Sequence, residues 1–169
     1  MIKLINRSSF LEIMVGFDDD LSGLARVLGS SYISLDGPAE RARELLSERH
    51  TLMLLAPGWN DPSKEQVSEF FQNAITLQGG LLTAGVRLGY LSGETDAAVI
   101  PGEYGVSVHP SLALLKAGKR LPERLFVGVQ KTGTILDAIG EVYSPKVGVP
   151  RPRGRYVSDR SMRPTGTGS

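Results

Sequence analysis

Cysteine is absent from this chain, and histidine and tryptophan are scarce, with two histidines and one tryptophan. Without cysteine the chain has no disulfide, no thiolate metal site and no cysteine nucleophile. With only His50 and His109 present, a histidine-rich metal site is excluded, and residues so scattered do not indicate a Ser/His/Asp triad. Several classes of metalloprotein and hydrolase are therefore excluded before any motif is considered.

Long apolar runs are also missing, and no stretch approaches the length of a membrane-spanning helix. The apolar residues at the start of the chain are interrupted by Arg7 too early for a signal peptide. The 169 residues, 41% hydrophobic and 22% charged, suit one ordinary globular domain. We therefore expect a cytoplasmic protein with no membrane partner, or one incorporated in a virion-like particle assembled in the cytoplasm.

The net charge of +1 hides an uneven distribution. Residues 145–169 hold six basic residues and one acid, a net charge of +5, which leaves −4 on residues 1–144. The six basic residues are Lys146, Arg151, Arg153, Arg155, Arg160 and Arg163. Because this segment is also rich in proline and glycine, it cannot form a central strand or a regular helix. The sequence predicts a compact domain over residues 1–144 and an extended basic C-terminal arm over 145–169.

Apolar runs and helix-capping patterns alternate through the body of the chain. Strands are predicted at 11–17, 32–35, 51–56, 81–91, 97–100, 105–108 and 125–129, and helices at 21–28, 39–49, 61–75, 111–116 and 132–139. The clearest strand, 51–56, lies between two helices, which favours a parallel sheet covered on both faces. The fold class is α/β or α+β, a three-layer-like domain with a mixed, partly parallel sheet.

An acidic turn follows the first predicted strand, at Asp18, Asp19 and Asp20. Carboxylates after a strand are typical of Mg²⁺ sites and of nucleophiles in α/β enzymes. The pattern resembles the first motif of haloacid-dehalogenase-type phosphatases. That resemblance implies that Asp18 is the nucleophile, Asp20 the acid/base and Lys116 the lysine of a later motif, with Mg²⁺ held by Asp18 and Asp20.

The same stretch has a second interpretation. Ala56 stands where the phosphatase pattern has serine or threonine, and Val129 and Gln130 stand where it has an acidic pair. Acidic residues are also favoured at a helix N-terminus, where they complement the helix dipole. The turn at Asp18 to Asp20 can therefore be a helix cap, and we expect no catalytic residue, metal or cofactor unless the phosphatase resemblance holds.

Residues 130–134, Gln-Lys-Thr-Gly-Thr, resemble the phosphorylation motif of P-type ATPases, with Gln130 in place of the aspartate. A helix that begins at Thr132 and is capped by it explains the same residues without phosphate binding.

Within the arm, Pro150-Arg151-Pro152-Arg153-Gly154-Arg155 resembles an AT-hook, which implies contact with the minor groove of DNA. The alternative is an arm whose arginines pair with carboxylates of neighbouring proteins. The candidate partner-binding residues are Arg151, Arg153, Arg155, Tyr156, Arg160, Arg163 and the loop residue Trp59.

An acidic body with a basic arm favours self-association, in which the arm docks on adjacent subunits. We therefore expect a non-enzymatic assembly component of a multi-subunit particle, similar to a phage head or tail accessory protein, that forms a homo-oligomer. The alternatives are the phosphohydrolase, or a catalytically degenerate relative of it, and a nucleic-acid-binding protein that uses the arm.

Overall fold

Five strands and six helices make up the part of the chain that a computed structural model describes, residues 16–143. The strands are β1 (Tyr32–Ser34), β2 (Thr51–Leu55), β3 (Arg87–Leu91), β4 (Ser111–Leu115) and β5 (Arg124–Val127). The helices are α1 (16–28), α2 (Ala39–Glu48), α3 (Asp61–Gln72), α4 (Ala74–Ala84), α5 (Ile100–Glu103) and α6 (Thr132–Tyr143). Short 3₁₀ turns stand at Gly29–Ser31 and Asp96–Val99.

The strands form one mixed sheet in the order β1-β3-β2-β4-β5. Strands β1, β3 and β2 are parallel, whereas β4 is antiparallel to β2, and β5 is antiparallel to β4. In this register Leu55 lies between Leu91 of β3 and Ser111 of β4. The end of β2 and the beginning of β4 therefore meet at the same edge of the sheet. The predicted class, a mixed and partly parallel α/β fold, is confirmed.

Helices cover both faces of the sheet because the side chains of a strand alternate between its faces. Leu52, Leu54 and Leu112 contribute to one buried cluster, which α1, α3, α4 and α6 cover. Met53, Leu55 and Ala113 contribute to the second cluster, which α2 and the 96–103 region cover. No helix within residues 16–143 is long and apolar enough to cross a membrane.

Two sequence predictions fail at the α3–α4 pair. The single helix predicted for 61–75 breaks at Asn73, and the strand predicted for 81–91 is helical as far as Ala84. Leu77 and Leu81, four residues apart, are fully buried on the face that α4 turns to the sheet. Gly85, with φ +70°, ends α4 in the left-handed conformation, so that only residues 87–91 are left for β3.

The region from 97 to 116 also differs from its prediction. The strand predicted at 97–100 is a 3₁₀ turn followed by the short helix α5, and residues 105–108 contain no strand. The helix predicted at 111–116 is strand β4, entered through a cis His109–Pro110 bond. All five residues of β4 are buried, and an apolar run of that length does not distinguish a buried helix from a buried strand.

Helix α1 and the entry to α2 differ from the expectations for these two regions. Residues 16 and 17, predicted as the end of a strand, already belong to α1, and residues 11–15 lie outside the described part of the chain. Asp36, two residues before the Pro38 N-cap of α2, does not cap this helix, although an Asp shortly before a helix is typical of a capping residue. The Asp36 carboxylate instead accepts hydrogen bonds from the Ser92 backbone at 3.0 and 3.3 Å.

Gly89, in the middle of β3, tests how tightly the sheet packs. A Cβ atom there would lie 2.8 Å from the Leu35 Cδ1 and 2.9 Å from the Thr51 Cγ2. We expect Gly89→Ala to lower the free energy of unfolding by about 1–3 kcal/mol through overpacking. The matched control is Gly79→Ala in α4, where nothing lies within 4 Å, and helix propensity predicts a gain of about 0.5–1 kcal/mol. Urea denaturation measures the free energy of unfolding of both variants. A Gly89→Ala protein as stable as the parent would contradict the close packing around Gly89.

Candidate functional site

The strongest candidate site lies at the edge where the parallel strands β1, β2 and β3 end, called the carboxyl edge below. Ligands of open α/β sheets bind outside the carboxyl ends of the strands. Residues 56–60 leave β2 at this edge, and residues 109–110 enter β4 beside them, because Leu55 pairs with Ser111. The structure thus brings two loops together that are about fifty residues apart in the sequence.

Trp59, the chain's single tryptophan, stands on the first of these loops with 59% of its surface exposed. Its ring meets the His109 ring edge to face, with the centroids 5.0 Å apart and an interplanar angle of 86°. An exposed indole held by a neighbouring ring presents apolar area and an N–H donor to a partner. Trp59, a predicted partner-binding residue, is therefore placed at the centre of this edge, whereas the sequence did not connect it with His109.

The loop passes directly into α3 through a pair of polar residues spaced three apart. The Asn60 side-chain oxygen accepts a hydrogen bond from the Ser63 backbone at 3.0 Å and another from the Ser63 hydroxyl at 2.9 Å. Pro62 lies in the first turn, where its missing N–H is not needed. The sequence predicted the start at Asp61 correctly, but the capping residue is Asn60.

Two contacts hold the loop in place behind Trp59. The Tyr90 hydroxyl donates a hydrogen bond of 2.7 Å to the carbonyl oxygen of Ala56. The Phe17 ring of α1 lies so close to Gly58 that a Cβ atom on Gly58 would be 2.9 Å from the ring. Strand β3 and helix α1 therefore fix the path by which the chain leaves β2.

Carboxylates gather around the same edge. Asp36, at the end of β1, accepts hydrogen bonds from the Ser92 backbone and from the hydroxyls of Ser92 and Thr95. Burial raises the pKa of the Tyr90 phenol, and the negative charges of Asp36, Glu94 and Asp18 raise that pKa further. Burial, followed by the charge of Asp36, raises the pKa of Tyr32 to about 12. The field at this edge is therefore negative.

The phosphatase-like residues are not brought together. Asp18 and Asp20 lie within α1, and the residues directly before them, 16 and 17, are helical rather than the end of a strand, so the predicted strand-end geometry is wrong. Burial and the neighbouring Asp19 raise the pKa of Asp20. Lys116 follows Leu115, which pairs with Thr51 at the opposite edge of the sheet. Within residues 16–143, no group of three or more His, Cys, Asp or Glu side chains could hold a metal ion.

The residues that resemble the ATPase motif serve to join α6 to α3. Gln66 of α3 pairs with the backbone of Gln130, accepting at 2.7 Å and donating at 3.0 Å. A carboxylate oxygen of Glu69 accepts hydrogen bonds from the Thr132 N–H at 2.8 Å and its hydroxyl at 3.0 Å. These bonds, that from the backbone above all, lower the pKa of Glu69. The helix start predicted at Thr132 is confirmed, with Glu69 as an external partner.

The other predicted partner-binding residues, namely Arg151, Arg153, Arg155, Tyr156, Arg160 and Arg163, lie outside the described residues. The boundary between body and arm, and the arm's docking on other protein subunits or nucleic acid, stay predictions.

Comparison with known proteins identifies the class of fold. No protein-family model matches the chain, and no curated protein sequence does. A mutant thioredoxin from Halobacterium salinarum matches with a TM-score of 0.53 and 18% identity over 70% of this chain and 94% of its own. Thioredoxin O2 from Arabidopsis thaliana, in the oxidized state, matches with a TM-score of 0.53 and 16% identity over 68% of this chain and 96% of its own.

A chain from a structure on the thiol-resolving mechanism in yeast mitochondrial 1-Cys peroxiredoxin, via glutathione and thioredoxin systems, gives a TM-score of 0.51 and 18% identity over 67% of this chain and 97% of its own. Identities this low show the fold alone, and the chain is a mixed α/β domain of thioredoxin-like fold. The predicted function, a phage head or tail component, is wrong, because the solved structures that share this fold are redox proteins. The same finding gives no support to the phosphohydrolase alternative, whereas contact of the arm with nucleic acid stays a prediction.

The site departs from thioredoxin chemistry in one respect. Thioredoxin-like redox sites use a Cys-x-x-Cys motif, whose reactive thiolate is stabilised near a helix N-terminus. In this chain Asn60 and Ser63 have that spacing at the start of α3, and the sequence contains no cysteine. The start of α3 therefore has the spacing of a Cys-x-x-Cys motif but none of its thiols.

The Asn60 cap gives a direct test of this geometry. We expect Asn60→Ala to cost about 0.5–2 kcal/mol of stability, because the Ser63 N–H loses its acceptor. Asn60→Asp keeps a capping oxygen and should stay close to the parent. Thermal and urea unfolding measure the difference, and equal stability of Asn60→Ala and the parent would contradict the cap.

Glu69 predicts a pH dependence. A carboxyl whose pKa is lowered on folding stabilises the protein above its unfolded pKa, near 4.5, and this stability is lost as the pH falls through the folded value. We therefore expect the parent to lose stability more steeply than Glu69→Gln between about pH 6 and pH 3. The test compares the urea midpoints of the two proteins across that pH range. If the midpoints of the parent and of Glu69→Gln fall in parallel as the pH is lowered, the Glu69 carboxylate is not the source of the pH dependence.

Proposed function

We propose that this chain is a binding protein that accepts an extended, positively charged segment of a partner protein at its carboxyl edge, without thiol chemistry. The observation that carries the proposal is the exposed Trp59 ring, held against His109 where α/β folds bind ligands. Tryptophan is enriched among the residues that dominate the energy of protein interfaces.

The open geometry favours a protein segment. Small-molecule sites enclose most of the surface of their ligand, whereas Trp59 projects from a loop and more than half of it is exposed. Val108, next to His109 on the neighbouring loop, is also exposed, which adds apolar surface beside the indole. A side chain of the partner can therefore lie across Trp59 while its backbone passes over both loops.

Charge selects the kind of segment. The negative charges of Asp18, Asp36 and Glu94 all raise the pKa of Tyr90, whose hydroxyl donates to the Ala56 carbonyl at the start of the Trp59 loop. A guanidinium or ammonium group that stacks on the indole gains a cation–π interaction in a field that already favours positive charge.

The first test uses Trp59 as its own reporter. Because the chain has one tryptophan, its fluorescence follows the site directly when a short peptide of alternating arginine and glycine is titrated into the full chain. We expect a saturable change in emission that weakens as salt rises, since partly exposed charges are screened. The same peptide with glutamate in place of arginine should give no change.

Variants separate the site from the rest of the surface. In calorimetry, Trp59→Ala should weaken arginine-peptide binding by about two- to thirtyfold, the range expected for a lost cation–π contact. Phe71→Ala is the matched control, because Phe71 is also an exposed aromatic residue but lies on α3 beside α1. Asp18→Asn should weaken binding, and Glu44→Gln, on the exposed face of α2, should not. Equal binding by Trp59→Ala and Phe71→Ala would exclude this function.

A further inference from the structure

The outer strand β5 carries a second exposed surface. Within residues 16–143, β5 pairs with β4 and with no other strand. Its side chains Leu125 and Val127 are 43% and 55% exposed, and both point to the face of the sheet that α6 does not cover. Exposed edge strands are usually protected by charges, prolines or bulges, whereas an apolar one is a template for pairing with another chain.

Backbone N–H and C=O groups of β5 point to this outer side. Gly128 donates its N–H to the Pro110 carbonyl across the β4–β5 ladder, at 2.9 Å. Alternate residues of an antiparallel strand direct their backbone groups to opposite sides, so those of Leu125 and Val127 point outward. The Val127 carbonyl accepts one hydrogen bond there, from the half-buried Gln130 side chain at 3.2 Å, which a strand N–H can replace.

We propose that β5 is an interface between two copies of this chain, which pair their β5 strands antiparallel with Phe126 on the two-fold axis. In this register Leu125 lies opposite the partner's Val127. The outward N–H and C=O groups of these two residues then bond reciprocally, as an isologous contact requires. The exposed Leu125 and Val127 side chains of both copies form one apolar cluster on the uncovered face.

The charges at the two ends of β5 favour a second copy of the chain as the partner that pairs with this strand. Arg124 falls opposite the partner's Gly128, so no like charges meet across the pair, and Arg124 already contacts its own Glu141 at 2.9 Å. Glu123 precedes the strand and Lys131 follows it, and both are exposed. Antiparallel pairing therefore brings each Glu123 towards the partner's Lys131.

The continuation of the same chain fits this edge less well. Helix α6 ends beside the start of β5, as the Arg124–Glu141 pair shows, so a following strand on the outer side would run parallel to β5. The connection from β5 through α6 to such a strand would step away from β4, towards the outside of the sheet. The connection from β2 through α3 and α4 to β3 steps in the opposite direction, although its helices cover the same face of the sheet. The two crossovers would differ in hand, and parallel crossovers have one hand in nearly all proteins.

Sedimentation velocity of the full chain over a concentration series tests the proposal. We expect a monomer–dimer equilibrium that Val127→Lys shifts towards monomer by at least about tenfold in Kd, because the charge enters the apolar cluster. Ile75→Lys is the matched control, since Ile75 is 78% exposed on α4, and it should leave the Kd unchanged. Circular dichroism confirms that both variants are folded.

A cross-link tests the register. Because the chain has no cysteine, Phe126→Cys introduces a single thiol that lies on the proposed axis, within reach of the partner's copy. Oxidation should give a covalent dimer with Phe126→Cys and none with Ile75→Cys at the same concentration. A chain that stays monomeric throughout the series overturns the proposal, as does a dimer that Val127→Lys leaves intact or in which Phe126→Cys fails to cross-link.

Discussion

The backbone pairing of β2 is the constraint on which the rest of the structure depends. All five of its residues are buried, so each N–H and C=O group must find a partner within the sheet. The partners come from β3 on one side and β4 on the other, over the full length of the strand. Since β3 is parallel and β4 antiparallel, the end of β2 lies beside the end of β3 and the beginning of β4. The two loops of the candidate site meet for this reason.

The same burial explains why Trp59 is exposed. Ala56 and Pro57 are buried after the strand, and the chain reaches the surface only at Gly58, under the Phe17 ring. Helix α3 must begin at once if Val67 and Phe70 are to reach the core, so the indole has no room to fold inward. The exposed aromatic surface is thus a consequence of how closely the strand, loop and helix follow one another.

The sequence predicted those parts of the fold where local and long-range preferences agree. Strand β2 and helix α2 were placed to within one residue because an apolar run, or a stripe of apolar residues, was bounded by clear end signals. Helix α6 begins where it was predicted, at Thr132, but continues past its predicted end at 139 to Tyr143. Strand β4 was predicted as a helix and the last turn of α4 as a strand, because the short apolar stretches at Leu112–Leu115 and Leu81–Leu82 take a form that is decided by their packing partners. Trp59 was singled out by its rarity. Its neighbour His109 could not be found, since the contact depends on the β2–β4 register, which no local pattern reveals.

The side chains at the start of α3 decide which chemistry the carboxyl edge can support. In a redox site of this spacing, the helix N-terminus stabilises a thiolate. Here the Asn60 side chain accepts the Ser63 N–H and hydroxyl, so both side chains are engaged in capping. The carboxylates of Asp18 and Asp36 would oppose a thiolate nearby, because like charges disfavour ionisation. The same negative field attracts cations, and among the aromatic side chains tryptophan binds a cation over its face most strongly. The capping bonds at the start of α3, the negative charges beside it and the exposed indole ring therefore all favour recognition of a positively charged segment over thiol exchange.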